Sequence, residues 1–366
     1  ARQVVDRVFE SPSPAVTIEF QGGEPLANWP VVKLIVEYAR EKNKAAGKSL
    51  WLNLVTNLSL MDEEKLGWLL RRGVNFCTSL DGPAEVHDRN RPWSGGASHA
   101  AAVKWFKEIN ERTKRKAFRI DALLTVTRLS LKKPREIVDH YAQIGARGIF
   151  LRPLNPYGMA AATWSKIGYG PDEYLAFYEA ALDRVLEISR ERTLRRPFPE
   201  QTARLYLAKI LSDEDPNFMD MRSPCGAGIG QMAYNFDGSV YTCDEGRMLS
   251  RMGDETFRIG HAGAGSYAET AGHPVVRAVA VASTLDNQVE CTSCAYKPYC
   301  GICPVQCYKE QGDIMGRMPT NSRCKISKRI LDILFQRLQD PRNERIFRSW
   351  LKKKKGAEPD ALYQRG

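Results

Sequence analysis

Eight cysteines fall between residues 225 and 324: Cys225, Cys243, Cys291, Cys294, Cys300, Cys303, Cys307 and Cys324, with Cys77 alone outside them. The core of the pattern is Cys291-x2-Cys294-x5-Cys300-x2-Cys303-x3-Cys307. Thiolates at such short intervals can wrap a metal centre without large backbone excursions. A disulfide framework suits a short secreted domain, whereas this chain is long, no secretory segment is expected, and its first two-thirds are almost free of cysteine. Zinc uses Cys-x2-Cys pairs, and eight thiolates would fill two four-thiolate zinc sites. They would equally hold two iron–sulfur clusters with four thiolates each. Spacing alone leaves zinc and iron–sulfur open.

The elements that must position these thiols belong to a chain of 366 residues, long enough for one large domain or two ordinary ones. With 43% hydrophobic and 27% charged residues it has the composition of a soluble globular protein. No apolar run approaches the roughly 20 residues needed to cross a bilayer, so no membrane partner is expected. The net charge of +11 is spread along the chain, and Lys352 to Lys355 read as a solvated tail. No nucleic-acid partner is expected either.

From residue 15 to about 155, strands and helices alternate. Strands are predicted over 15–21, 50–55, 75–80, 118–126 and 148–151, and helices over 30–46, 60–72 and 98–115, with another running from Pro134 to Gly145. Ser59 is the expected N-cap of the second of these helices, with Asp62 completing a variant capping box and Gly73 closing it. Val4, Val5, Val8 and Phe9 put a helical stripe at the very start. Five strand–helix units rich in Val, Ile, Leu and Phe predict an α/β fold with a parallel sheet covered by helices. Ligands then bind where the strands end at their carboxyl side. The unusual residues lie there: Gly22-Gly23-Glu24-Pro25, Thr56-Asn57, Ser79 to Pro83, and Arg152. One pocket lined by them is predicted. Helices over 171–190 and 199–212 follow, with a domain boundary near 215. The cysteine-rich region shows few helix signals before 327–338, and a small hairpin turns at Asp237-Gly238.

Together these motifs resemble the radical S-adenosylmethionine (SAM) enzymes that carry a C-terminal SPASM domain. Phe20 to Leu26 is similar to the family's GGEP loop, whose carbonyls and glutamate receive the amino group of SAM. Ser79 to Pro83, His87 to Arg91 and Gly95 to Ser98 are similar to the stretch where a serine and an arginine approach the ribose and carboxylate of SAM. The resemblance therefore implies cofactor contacts from Gly22, Gly23, Glu24, Pro25, Thr56, Asn57, Ser79, Asp81, Arg91 and Arg152. Cys225, Gly238-x4-Cys243, Cys291-x2-Cys294-x5-Cys300 and Cys324 follow the SPASM pattern, with Cys303 one residue early and Cys307 extra. By resemblance, Cys225, Cys243 and Cys303 hold one [4Fe–4S] cluster, with Cys307 or an open iron as its fourth site. Cys291, Cys294, Cys300 and Cys324 hold the other.

The implied fold is a partial (β/α)6 TIM-like barrel over 1–214, its first strand missing. A SPASM domain over 215–330 and a C-terminal helix with a basic tail over 331–366 complete it. The family also uses a Cys-x3-Cys-x2-Cys loop ahead of the GGEP loop. Three cysteines there leave one iron free for SAM to chelate, and cleavage of the sulfonium gives a 5′-deoxyadenosyl radical. This sequence has no such motif. N-terminal truncation is the expectation, with the third cluster in the missing part and the chain inactive by itself.

Asp244 follows Cys243, where relatives place an aspartate that takes a proton as the substrate radical is oxidised; capping a turn is its bland alternative. His87-Asp88 is expected to make structural contact with Arg91, and Cys77 to be a buried core thiol. The function implied is a maturase of a ribosomally made peptide or protein, working in a reducing cytoplasm with an electron donor such as a flavodoxin or ferredoxin. Tyr299 to Val305 and Glu310 to Asp313 look most like maturases of the His-Xaa-Ser system. An anaerobic sulfatase maturase and a non-catalytic zinc module are the alternatives.

Overall fold

A computed structural model describes residues 1–113, 120–191, 196–212 and 215–352. Helix α1 (Arg2–Phe9) buries Val5 and Phe9 against Val16 and Ala39, so the stripe read at the start of the chain is a packed face. Five strands then form one sheet in sequence order: β1 (Ala15–Phe20), β2 (Ser49–Thr56), β3 (Asn75–Ser79), β4 (Ile120–Thr125) and β5 (Leu151–Arg152). Every neighbouring pair is parallel. Helices α2 (Trp29–Ala46), α3 (Glu63–Arg71), α4 (Ala84–Asn90), α5 (Ser98–Arg112) and α6 (Pro134–Gln143) lie between them. Residues 114–119, including the start of the strand expected over 118–126, lie outside the described residues.

The hydrophobic strands are apolar because helices cover them. Leu52, Leu54, Phe76, Ile120, Leu124 and Leu151 belong to one core with Val36, Leu69, Phe106 and Ile137 of the covering helices. Cys77 lies in this sheet and is buried, as expected of a core thiol. Two helical turns, α7 (Met159–Ala162) and α8 (Trp164–Ile167), precede the long α9 (Pro171–Glu191), and α10 (Gln201–Leu211) follows. In α9, Tyr174, Tyr178, Leu182, Val185 and Leu186 recur at helical spacing and are all buried. Buried Glu200 caps α10: its carboxylate accepts from the Thr202, Ala203 and Leu151 amides and from the Tyr178 hydroxyl.

The α3 cap departs from expectation. The Asn57 Oδ1 accepts from the Ser59 amide at 2.9 Å, and Leu58 takes a positive φ of 62°. This Asx turn holds Ser59 and Leu60 outside the helix. Asp62, extended at φ −141°, caps α3 instead by accepting from the Lys65 amide at 2.8 Å.

Beyond residue 215 the chain forms a second layer of small elements. A three-stranded antiparallel sheet pairs β6 (Ala233–Tyr234), β7 (Ser239–Tyr241) and β8 (Arg258–His261), with the expected hairpin at Asp237-Gly238. The region holds more helix than its sequence suggests: α11 (Asp244–Ser250), α12 (Tyr267–Ala271), α13 (Pro274–Ser283), α14 (Val289–Thr292) and α15 (Pro304–Gln311). Most are under three turns, too short for a periodic stripe, and are fixed by caps and packing. Helix α16 (Ser322–Leu338) starts five residues earlier than expected, because Asn321 caps it by accepting from the Cys324 amide at 3.1 Å. Helices α16 and α17 (Pro341–Leu351) pack back on α9 and α10, tying the cysteine-bearing region to the sheet. Among the described residues no helix is long and apolar enough to cross a membrane.

Candidate functional site

The register of the sheet brings the expected loops to one edge. Thr56 stands beside Thr78, Ser79 beside Leu123, and Thr125 beside Arg152, so the strand ends line up in sequence order. At that edge the Glu24 carboxylate is fixed by three donors. The Leu26 amide and Thr56 hydroxyl donate to Oε1 at 2.9 and 2.8 Å, and the Asn57 amide donates to Oε2 at 2.8 Å. One anionic group is thereby aimed by two loops while keeping lone pairs for a cationic ligand. Gly22 has φ 122°, which only glycine adopts comfortably, and a Cβ on Gly22 or Gly23 would meet nothing within 4 Å. The Gly22-Gly23-Glu24-Pro25 turn thus borders open space, as a ligand-binding loop requires.

Asp81 and Arg91 are paired with each other. The guanidinium donates to the Asp81 carboxylate at 2.8 and 3.3 Å, and the Thr125 amide also approaches that carboxylate. His87 is turned inward and accepts from the Asp81 amide at 3.1 Å; its contact with Arg91 is through its carbonyl, which accepts the Arg91 amide. Asp88 receives the Ser98 hydroxyl and the His99 amide. This part of the expected cofactor edge is therefore internally braced, with Ser79 half-buried beside it. Arg152 stacks its guanidinium 5.6 Å from the Phe150 ring, and its charge acts on Asp220 and Glu245 of the second layer.

The thiols fall into two neighbourhoods. Cys291, Cys294, Cys300 and Cys324 line a cavity of about 110 Å³, together with Arg323 and Lys328, and Cys303 and Cys307 reach its wall. A single water needs only roughly 10–15 Å³, so this space admits a far larger group. Burial first, and then the thiols of Cys300, Cys324 and Cys294, push the Cys291 thiol up to about 12. Burial and neighbouring thiols likewise raise Cys300 and Cys324. Thiols raised by burial and by one another suit a cationic centre, which would reverse that shift.

The second neighbourhood joins Cys225, Cys243 and Cys303 in one small core with Tyr157 and Met219. The Ser283 hydroxyl accepts the Cys225 amide at 2.9 Å, and Gly228 bonds the Thr242 carbonyl, which fastens the Cys225 loop to the strand before Cys243. Cys243 caps α11, its sulfur accepting from the Gly246 amide at 3.4 Å. Burial pushes the Cys225 thiol up to about 11, and burial with the Glu245 and Cys303 charges raises Cys243. The Tyr157 hydroxyl is buried against this group with no hydrogen-bond partner, a cost of about 1–3 kcal/mol that a group accepting its proton would remove.

Among the described residues no three Cys, His, Asp or Glu side chains converge tightly enough to ligate one metal ion. The thiol-lined cavity has room for a polynuclear cluster, and the second thiol group adds the unsatisfied Tyr157 hydroxyl as a donor to such a centre. Cys307 packs elsewhere, in a core of Leu285, Ile302 and Met318 flanked by Cys291 and Cys324.

Beside the thiol groups lies a set of charges of which the sequence singled out only Asp244 and Arg152. Asp220 and Arg323 form an ion pair at 3.1 Å. Burial would raise the Asp220 carboxyl, but the Arg323 and Arg152 charges overcome it and hold it below the usual carboxylate range. The Asp244 carboxylate accepts from Arg247 at 2.6 and 2.9 Å. Burial, then repulsion from Asp220 and Asp244, raises the neighbouring Glu245. The one sequence signal for the rest of this set was adjacency: Arg323 precedes Cys324, and Glu245 lies two residues after Cys243.

This architecture is that of the radical SAM maturases: an α/β fold with a parallel sheet and a cysteine-bearing layer packed on it. Among solved structures it matches one described as native anSMEcpe with bound AdoMet and Kp18Cys peptide, at a TM-score of 0.74 and 22% identity over 94% of this chain and 90% of that one. It also matches Streptococcus suis SuiB bound to S-adenosylmethionine, at 0.58 and 15% over 86% and 67%. In sequence it is 26% identical over 246 residues to the cysteine-type anaerobic sulfatase-maturating enzyme of Clostridium perfringens strain 13, covering 66% of this chain and 62% of that protein. An uncharacterized protein of Archaeoglobus fulgidus is 26% identical over 271 residues, covering 72% and 58%. The chain thus spans about three-fifths of the curated relatives it matches. No protein-family model matches it.

Proposed function

We propose that this chain acts in a radical SAM maturase that modifies a side chain of a ribosomally made peptide or protein. The observation that carries this reading is the pairing, in one fold, of the Glu24 loop at the strand ends with two thiol groups, one of which shares its core with Tyr157 just beyond β5. When bound to a reduced cluster, SAM supplies a 5′-deoxyadenosyl radical. Glu24, oriented by Leu26, Thr56 and Asn57, would receive the amino group of SAM, and the open Gly22-Gly23 turn would let the cofactor approach the backbone. Asp81 holds Arg91 at the same edge, where the guanidinium would meet the carboxylate of SAM. Cys291, Cys294, Cys300 and Cys324 would hold one auxiliary [4Fe–4S] cluster, and Cys225, Cys243 and Cys303 would bind another. Asp244, held in place by Arg247, would take the proton that leaves the substrate.

The Cys-x3-Cys-x2-Cys loop for the SAM-cleaving cluster is not among these 366 residues. This stretch as it stands is therefore expected to bind SAM without cleaving it reductively. Two substrate readings differ. The Tyr299 to Val305 stretch supports a His-Xaa-Ser peptide, whereas likeness to the cysteine-type sulfatase-maturating enzyme supports a cysteine-bearing sulfatase peptide. Anaerobic equilibrium dialysis against SAM, with and without each peptide, tests the reading. Micromolar binding of SAM, tightened by one peptide class, supports it. No binding of SAM to iron-loaded protein refutes it.

A further inference from the structure

The buried core that gathers Cys225, Cys243 and Cys303 is otherwise made of apolar side chains such as Met219 and Val305, and of Tyr157. The Tyr157 hydroxyl is therefore the odd group in it. Tyr157 is 3% exposed, and its hydroxyl has no hydrogen-bond partner among the described residues, the three thiols included. Other buried tyrosines of this chain are served. Tyr141 donates to the Leu80 carbonyl, Tyr174 to the Leu151 carbonyl at 2.6 Å, and Tyr178 to the Glu200 carboxylate at 2.7 Å. A buried phenol left without an acceptor is costly, so this one calls for an acceptor from outside the chain.

The backbone holds the side chain in this place. Arg152 ends β5, and Tyr157 follows in the loop that leaves the sheet. Its amide donates to the Asn155 carbonyl at 2.9 Å, and its carbonyl accepts from the Ala160 amide at 3.1 Å. The next residue, Gly158, has a left-handed φ of 53° and donates its amide to the Met252 sulfur at 3.2 Å. Met252 lies just past α11, the helix that Cys243 caps, so the loop of Tyr157 is pinned to the segment that carries Cys243. None of these contacts uses the hydroxyl. An iron–sulfur cluster would bring sulfide and thiolate sulfurs, all of them acceptors, into the same core. With no base in hydrogen-bond reach the phenol keeps its proton, which makes it a donor to sulfur and not an iron ligand. A hydrogen bond to cluster sulfur strengthens as the cluster gains negative charge, so it favours the reduced form.

Building on the reading above, we propose that the Tyr157 hydroxyl donates to a sulfur of the cluster held by Cys225, Cys243 and Cys303 and thereby raises its reduction potential. Tyr157 is a positioning residue in this account. It adds no ligand and moves no proton, and it shifts the one-electron balance between the oxidised and the reduced cluster.

The test uses the full chain, reconstituted anaerobically with iron and sulfide, titrated with dithionite and followed by low-temperature EPR. Tyr157→Phe removes only the hydroxyl, so it should hold as much iron as wild type. At one of the two clusters its reduction equilibrium should weaken about tenfold, a fall of about 59 mV for a one-electron couple. Pulsed ENDOR of the reduced wild type, compared in water and heavy water, should show an exchangeable proton that Tyr157→Phe lacks. Tyr308→Phe is the control, because Tyr308 packs against the same core while its hydroxyl already accepts from Thr256 Oγ1 at 3.2 Å. That variant should leave both potentials unchanged. Unaltered potentials in Tyr157→Phe overturn the proposal, and so does an equal shift in Tyr308→Phe. Loss of iron in Tyr157→Phe would mark the tyrosine as a ligand and overturns it as well. A wild type without clusters would instead refute the underlying functional reading.

Discussion

Arg323 and Asp220 form an ion pair at 3.1 Å that joins the segments carrying Cys324 and Cys225. Arg323 immediately precedes Cys324 on α16, and Asp220 lies in the turn of Met219–Met221 shortly before Cys225. Each carries its neighbouring cysteine into position, and Arg323 also donates toward the Asp220 carbonyl. The pair therefore ties the turn before Cys225 to the first turn of α16.

Removing one partner should be costly. Arg323→Met leaves the half-buried Asp220 carboxylate without its cation and should lower unfolding stability by about 1–3 kcal/mol. The double variant with Asp220→Asn should lose less than the sum of the two single changes. Urea unfolding of the metal-free chain checks this, and additive losses would contradict a direct pair.

Gly301 is a second joint between the same parts. It lies between Cys300 and Cys303, and a Cβ there would stand 2.4 Å from the Asp220 carbonyl oxygen and 2.7 Å from the Met221 Cα. Backbone on the other side cannot rotate away, so Gly301→Ala should cost about 1–3 kcal/mol. The same variant should lower iron loading at both centres, which metal analysis would reveal.

The sheet and its edge were legible in the sequence for a physical reason. Buried parallel strands must be apolar throughout, and turns such as Gly22-Gly23 and Gly73 announce themselves by residue type. The five strands, the hairpin at Asp237-Gly238 and the loops holding Glu24 and Thr56 follow from such local rules. The cap of α3 did not, since Ser59 and Asp62 are both good caps and the Asn57 side chain decided between them. The short helices α11 to α15 and the contacts of Glu245, Tyr157 and Asp220 arise from tertiary packing. No spacing in the chain encodes them.

Glu24 should control cofactor affinity. Glu24→Ala removes the carboxylate that receives the Leu26, Thr56 and Asn57 donors. Hydrogen bonds to a charged group contribute roughly 1.5–3 kcal/mol, so SAM binding should weaken about tenfold to a hundredfold. Glu24→Gln should fall between, because its amide nitrogen must face one of those donors. Equilibrium dialysis of iron-loaded protein measures this, and unchanged affinity would contradict the assigned role.

Acid should weaken the fold through a histidine cluster beneath the sheet edge. The His99 and His140 Nε2 atoms lie 3.0 Å apart, and His87 and His99 rings contact edge to face at 5.7 Å. Burial, opposed by Asp81 and aided by Arg91, His99 and Lys107 among the flanking charges, holds His87 and His140 down at about 4; Asp88 partly offsets the same effect at His99. A depressed folded value means the neutral form is favoured by folding. This stability is fully present above the unfolded value of about 6.5 and is lost as pH falls toward about 4. Denaturant midpoints should therefore drop between pH 7 and pH 5, and His87→Gln should flatten that dependence.

The central claim is that the cysteines of 225–324 hold iron–sulfur clusters and not zinc. Metal and acid-labile sulfide analysis of the chain purified without oxygen tests it directly. The account predicts brown protein with two [4Fe–4S] clusters, about eight irons and eight sulfides per chain. Stoichiometric zinc with neither iron nor sulfide would contradict it.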